Sequence, residues 1–233
     1  MNIELDRITH PLRLARGSHQ PGSGKGCAMN VISYINGDVE VTDFPACSAR
    51  PLARMIQELN DGLADEDGYL SPKNSVLVLN LGWRTVGTAD VPREVVLRWL
   101  AELLVNPVHG VIQHANPAAV PAIRHVAELL KREMAGDIVS TDEWVQAHTA
   151  ADAVDFVAKH CVAYALSCAV FYATCAAYAA IASASHPYPY IRPQPEFTLW
   201  AIEKWRELAK LDEPQPITAV EINNALKQIG SHA

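Results

Sequence analysis

The sequence predicts an all-α protein, a multi-helix bundle around one long Ala- and Cys-rich central helix, and three observations carry that expectation. Between Val154 and Ser185 the chain repeats with a period of seven: Cys recurs at 161, 168 and 175, and an aromatic side chain at 164, 171 and 178. Such a period keeps one helix face in register, so the tract reads as a small-residue seam flanked by aromatics. Helix-start signals recur elsewhere, at Ser71-Pro72, at Ser140 with Glu143, and at Thr218 with Glu221, where a hydroxyl can cap and a carboxylate three residues on can reach back. Apolar residues at three- and four-residue spacing fill the rest, enough for about eight helices and little strand.

Taken in order, residues 1–26 end in Gly-Ser-His-Gln-Pro-Gly-Ser-Gly-Lys-Gly and are expected to form a flexible approach. The run resembles a phosphate-binding loop only in its glycines, because Gly24-Lys25 is followed by Gly26-Cys27 and not by Ser or Thr. From Cys27 to Asn36, Ala28, Val31, Ile32 and Ile35 have helical spacing, with Asn36-Gly37 as a stop. The same Asn-Gly pair, set between two short apolar runs, also fits a β-hairpin turn, so 27–41 has two readings, of which the helix is preferred. The turn Asp43-Phe-Pro-Ala-Cys-Ser48 then delivers a helix over Ala49–Asp61, with Ser48 as cap, Leu52, Met55, Ile56 and Leu59 inward, and Gly62 as stop.

Leu63–Leu70 is an acidic loop. Ser71 and Pro72 open a helix over Asn74–Trp83, although Val76-Leu-Val-Leu79 also fits a buried strand. Asp90 and Pro92 start a helix reaching Val105, and Pro121–Met134 follows. The capping box at Ser140 begins a helical region that breaks near 149–151 and passes into the heptads. Residues 186–195 are too rich in Pro for a helix and read as a strap. Beyond it come a helix over Glu196–Leu211 and a short final helix whose start combines the Thr218–Glu221 box with an Ile217–Ile222 staple. The expected organisation is a flexible approach (1–26), a helical core (27–185), and a strap with two docked C-terminal helices (186–233).

A net charge of -7 and a pI near 5.7 leave no basic footprint, which argues against nucleic-acid and anionic-membrane partners. The first seventeen residues mix charges and lack an apolar centre, so they are not a signal peptide. Cys161–Ser185 carries no charge over 25 residues, long enough to span a bilayer. It is dominated by Ala, Ser, Thr and Cys, which favour a buried helix over membrane insertion. The five cysteines are odd in number, and neighbours one heptad apart lie about 10 Å apart, too far to bridge. Reduced thiols and a cytoplasmic location follow.

One set of residues forms a recognisable pattern: Gly26-Cys27-Ala-Met, Asn36-Gly37-Asp, Asp43-x-Pro-x-Cys47, Pro51, Asn60-Asp61, Arg84-x-Val-Gly-Thr88, and the Ala-rich heptads. It resembles a group of uncharacterised actinobacterial and phage-encoded proteins in which a Gly-x-Cys-Ala-Met-Glu-Ala segment precedes an Asp-His-Pro-x-Cys turn and an Ala-rich helical tract. The likeness covers roughly residues 15–110 and the heptads. The chain departs from that pattern at Asn30, where Glu is expected, and at Phe44, where His is expected, so two polar groups that could serve a site are absent. The resemblance implies a bacterial or phage source and a shared fold, and no reaction.

Candidate chemistry centres on His19, Cys27, Asp43 and Cys47. One imidazole, two thiolates and a carboxylate make a permissible tetrahedral zinc set, with His19, Cys27 and Cys47 as the principal ligands, yet no Cys-x-x-Cys pair is present. The plainer alternative packs Cys27 and Cys47 at two helix starts and leaves His19 in water. Cys27 also follows Gly26 at a helix N-terminus, where the dipole and free N–H groups lower a thiol pKa and can hold an oxyanion. A nucleophile there needs a base, and His109, His114, His125 and His148 are the candidates. The Cys161, Cys168 and Cys175 stripe cannot ligate one ion within a chain, because Zn–S bonds of about 2.3 Å do not span a heptad. His125 with Glu128 and His148 with Asp152 fit ordinary surface pairs. The Tyr-Pro-Tyr strap with Trp200 and Trp205 fits a clamp on its own domain.

The function expected from these residues is a non-enzymatic binding or interaction protein of phage or bacterial origin, working as a homo-oligomer that engages a host protein or sequesters a small ligand. Its rivals are a cysteine-dependent enzyme centred on Cys27 and a metal-binding protein using His19, Cys27 and Cys47.

Overall fold

The computed structural model describes residues 12–20, 22–113, 115, 117, 120–147 and 195–230. The heptad tract, the strap up to 194, His114, and the His148–Asp152 pair lie outside the described residues. Seven α-helices have defined bounds: α1 (Ala28–Asn36), α2 (Arg50–Gly62), α3 (Pro72–Trp83), α4 (Arg93–Val105), α5 (Val120–Met134), α6 (Pro195–Ala209) and α7 (Ala219–Gly230). A 3-10 turn covers Val111–Gln113 and a helical stretch covers 141–147. Among the described residues no strand forms, only three isolated bridges. The expected all-α class is the one observed.

Local chemistry accounts for most helix ends. Gly37 sits in the left-handed region at φ 75 and donates to Tyr34 O, while Asp38 N donates to Ser33 O. The Asn-Gly pair therefore ends a helix and does not turn a hairpin. Ser71 Oγ accepts from Asn74 N at 3.2 Å, Pro72 takes the first position, and the run Val76–Leu79 is helical, which removes the strand alternative. Thr218 N donates to Glu221 Oε2 at 2.8 Å and Glu221 N returns a bond to Thr218 Oγ1 at 3.2 Å, with Ile217 and Ile222 both buried as the staple requires.

Three ends differ from expectation; α2 runs through the expected stop Gly62 to a cap at Leu63. Ser48 does not cap α2; its hydroxyl pairs with Thr85 Oγ1 at 2.8 Å, and Ala49 occupies the cap position without a side-chain bond. At the far end of α6 the helix stops at Ala209, two residues before the expected Leu211. Lys210 adopts φ 56 and Leu211 N donates back to Arg206 O at 2.9 Å, a reversal in which glycine is the usual residue.

The described chain forms two compact units: the segment before Val91 together with α6 and α7, and the segment from α4 through 147. Within the first unit α1 is central, since its residues Ala28–Ser33 are all buried. A helix buried on every side needs walls, and α2, α3 and α7 supply them. Gly82 lets α3 approach α1 closely, since a Cβ there would meet Ile32 Cδ1 at 2.8 Å and Ile56 Cγ2 at 3.3 Å.

Part of the expected flexible approach is also built in. Leu12, Leu14 and Ala15 are buried, Leu14 N donates to Ser75 Oγ, and Leu70 N donates to Leu14 O. The turn after α3 is locked from two directions. Gly87 N and Thr88 N donate to Cys47 O, and Arg206 Nη1 donates to both Arg84 O and Val86 O at 3.0 Å. Arg206, 5% exposed, thus places its guanidinium on carbonyls of the turn that follows α3.

In the second unit, Leu97, Leu100, Leu103 and Leu104 of α4 and Ile123, Val126, Leu129 and Leu130 of α5 are all buried, and the two helices pack together. Ser140 Oγ accepts from Glu143 N while Glu143 Oε2 accepts from Ser140 N at 2.9 Å, which confirms that capping box. The buried Trp144 donates from Nε1 to Glu133 Oε1 at 3.3 Å. Hydrogen bonds from Arg132 and from Ser140 hold the Glu143 carboxyl at about 2, below its ordinary 4.5. A depressed carboxyl pKa contributes stability that is complete above the unfolded value and lost as pH falls through the folded one. The N-terminal cap of the 140–147 helix should therefore loosen between pH 4.5 and 2, seen as a shift of the Ser140 backbone N–H resonance, which donates to Glu143 Oε2, in that window and absent in Glu143→Gln.

Candidate functional site

Two of the residues flagged by the sequence, Cys27 and Asp43, meet at the N-terminus of α1. Cys27 is the helix cap and is fully buried. Its Sγ donates to Asp43 Oδ1 at 3.4 Å, and Asn30 Nδ2 donates to the same oxygen at 3.0 Å. The other carboxylate oxygen, Oδ2, accepts from Gln57 Nε2 of α2 at 3.0 Å. Asp43 is 8% exposed, so these neutral donors stand in for the water a carboxylate needs. The helix end is closed as well: Cys27 N donates to Asn30 Oδ1 at 3.0 Å, and Ala28 N donates to Asn60 Oδ1 at 3.3 Å. Asn60 in turn donates to Ala15 O at 2.9 Å, tying α2 to the entering chain.

This geometry runs against the nucleophile expectation. Burial, followed by the neighbouring Asp43 charge, pushes the Cys27 thiol far above its ordinary range and outweighs the bonds that lower it. The two backbone donors that might have held an oxyanion are occupied by amide oxygens. Of the candidate bases, His109 and His125 belong to the second unit. Cys47 does not join Cys27. It is half-buried, its sulfur lies 3.8 Å from Ser48 Oγ, and burial raises its pKa also. His19 is half-buried, and its Nε2 is enclosed without a hydrogen-bond partner among the described residues. Among the described residues no group of three His, Cys, Asp or Glu side chains is placed to hold a metal ion, so the proposed zinc set of His19, Cys27 and Cys47 finds no formed centre.

Of the amides in the cluster, Gln57 was not singled out from sequence, and Asn30 and Asn60 were named only as positions of a pattern, not as site residues. Their signal was available: each is an amide on a helix stretch whose neighbours are buried, and an amide in such a place needs a partner. A second feature is a shallow groove of about 180 Å³ between α1 and α7, lined by Tyr34, Ile35, Glu221, Asn224, Ala225 and Gln228. Val39 and Val220, close in sequence to this lining, are exposed apolar side chains.

The cluster and groove define an all-α protein with a buried polar knot and an open, mixed-polarity surface groove. No protein-family model, no curated protein and no solved structure matches the chain.

The knot makes a direct prediction for Asn30→Asp, which keeps the acceptor for Cys27 N but sets a second carboxylate against Asp43. Like charges at hydrogen-bond distance in a buried site disfavour double ionisation. The variant should lose about 3 kcal/mol in urea unfolding near neutral pH, and recover part of the loss under mildly acid conditions as the pair takes up a shared proton. Equal stability of the variant and parent at neutral pH would contradict the assignment.

Proposed function

We propose that this is a non-enzymatic binding protein of bacterial or phage origin, cytoplasmic, acting as a homo-oligomer through its surface on a host protein or a small ligand. The observation that carries this reading is the fate of Cys27. The strongest nucleophile candidate in the sequence is buried, held protonated by desolvation, and committed to Asp43. A group in that state stabilises a fold and does not attack a substrate.

Other features support a surface role. The groove between α1 and α7 is lined by apolar Ile35 and Ala225 together with polar Glu221, Asn224 and Gln228. The acidic balance of the chain argues against nucleic acid as the partner. No described helix is long and apolar enough to cross a membrane. Self-association rests on the seven-residue repeat of Cys and aromatic residues between 154 and 185, a spacing that suits one helix against another.

Light scattering on the full chain tests the oligomer. A mass at a multiple of 25.4 kDa is expected, and a monomeric mass at high concentration would contradict this reading.

A further inference from the structure

We propose that Arg13, Lys25 and Tyr69 form a binding site for a phosphoryl group, carried by free phosphate or by a small phosphate monoester. The inference gives the small-ligand branch of the proposed binding role a chemical class, and it rests on that branch alone. The site shares no residue with the groove between α1 and α7.

Three short backbone segments, tied side by side, bring the groups together. Ala15 lies opposite Tyr69 in an antiparallel bridge, with Leu70 N donating to Leu14 O at 2.9 Å and Arg16 N to Gly68 O at 2.8 Å. Side chains alternate along such a segment, so Arg13, two residues before Ala15, falls on the side of the ring. Its guanidinium carbon lies 4.0 Å from the Tyr69 centroid. On the other flank Ala15 N donates to Gly26 O at 2.9 Å, which sets Lys25 beside the same ring with Nζ 5.5 Å from the centroid. Gly26 is itself fixed against α7, since a Cβ there would lie 2.9 Å from Ile229 Cδ1.

Two exposed cations are thereby held less than about 10 Å apart, a separation over which 0.1 M salt screens only in part. Among the described residues neither forms an ion pair. The nearby acidic loop does not neutralise them: Asp65 Oδ1 accepts from Tyr69 N at 2.9 Å, and Glu66 and Asp67 are exposed. The half-buried Tyr69 keeps its hydroxyl without a hydrogen-bond partner among the described residues. A chain of net charge -7 thus carries a small, pre-formed positive site with a free donor at its edge.

The ligand class follows from the charge. A phosphate monoester carries about -1.5 to -2 near neutral pH, which matches two cations, whereas a carboxylate leaves one of them unpaired. Arg13 offers a planar fork to phosphate oxygens and Lys25 a point charge, and the Tyr69 hydroxyl can donate a further bond. Side chains meet the anion here, so the Ser or Thr that a nucleotide-binding loop would need after Lys25 is not required.

The test is a titration of the isotope-labelled full chain at low salt with inorganic phosphate, with glycerol phosphate and with acetate, following the backbone N–H resonances of Arg13, Lys25 and Tyr69. Saturable shifts with a Kd of about 1 mM are expected for the phosphates, the scale of two charge-assisted hydrogen bonds, with acetate about tenfold weaker. Equal affinity for the two phosphates identifies the free ion as the ligand, and tighter binding of the ester identifies an esterified one. Arg13→Gln and Lys25→Gln should each weaken binding about tenfold at an unchanged melting temperature, while Lys131→Gln, in the second unit, leaves it as it was. Shifts that do not saturate, acetate binding as tightly as phosphate, or an affinity indifferent to Arg13→Gln and Lys25→Gln overturns the site. The mass from light scattering is read separately, so a multimer without phosphate binding removes the site and keeps the oligomer, and a monomer that binds phosphate does the reverse.

Discussion

A carboxylate removed from water destabilises a fold by several kcal/mol unless donors replace its hydration, and the first unit of this protein is arranged to supply them to Asp43. Cys27 and Asn30 provide two donors from the start of α1, and Gln57 provides a third from α2. Asp43 lies in the turn between those helices, so one charge fixes the turn to both of its neighbours. Asp38 does similar work on the same segment, its Oδ2 accepting from Ser33 Oγ at 2.7 Å and from Ala46 N at 3.3 Å. The state of Cys27 follows from this arrangement. Its thiol must remain protonated to donate, and the nearby negative charge together with burial keeps it so.

The pattern of Cys27, Asn36-Gly37, Asp43, Asn60-Asp61 and Arg84-x-Val-Gly-Thr88 acquires a structural meaning in this light. Gly37 ends α1, Asn60 closes the N-terminus of α1, and Asp61 holds Gly17 N. Gly87 and Thr88 seat the turn after α3 on Cys47 O, and Thr88 Oγ1 accepts from Ala49 N at 2.9 Å. Asn30 and Phe44 also have local roles. Asn30 donates to Asp43, a bond that a glutamate would replace with repulsion. Phe44 offers a ring face to Arg50, whose guanidinium carbon lies 4.7 Å from the centroid.

Helix starts were legible where their determinants lie within a few residues: Ser71 with Pro72, Ser140 with Glu143, and Thr218 with Glu221. Asn36-Gly37 was ambiguous because a left-handed glycine serves a helix stop and a hairpin equally, and the bonds from Gly37 N and Asp38 N back to Tyr34 O and Ser33 O decide between them. Ser48 was misassigned because its partner, Thr85, is distant in sequence, and that long-range bond displaces the local cap. Of the candidate site, the meeting of Cys27 and Asp43 was partly visible, but the amides that complete it come from positions whose partners no local rule names. For Cys27, complete burial and the neighbouring Asp43 carboxylate raise the thiol pKa and outweigh the lowering that a helix start provides.

The central claim is that the Asp43 carboxylate joins α1 to α2, and unfolding of Asp43→Ala in the full chain measures it most directly. Removing the carboxylate leaves three buried donors without their acceptor, which should lower the stability of the first unit by about 3 kcal/mol in urea. A loss of less than about 1 kcal/mol, within the range of an ordinary surface substitution, would show that the knot is incidental to the fold.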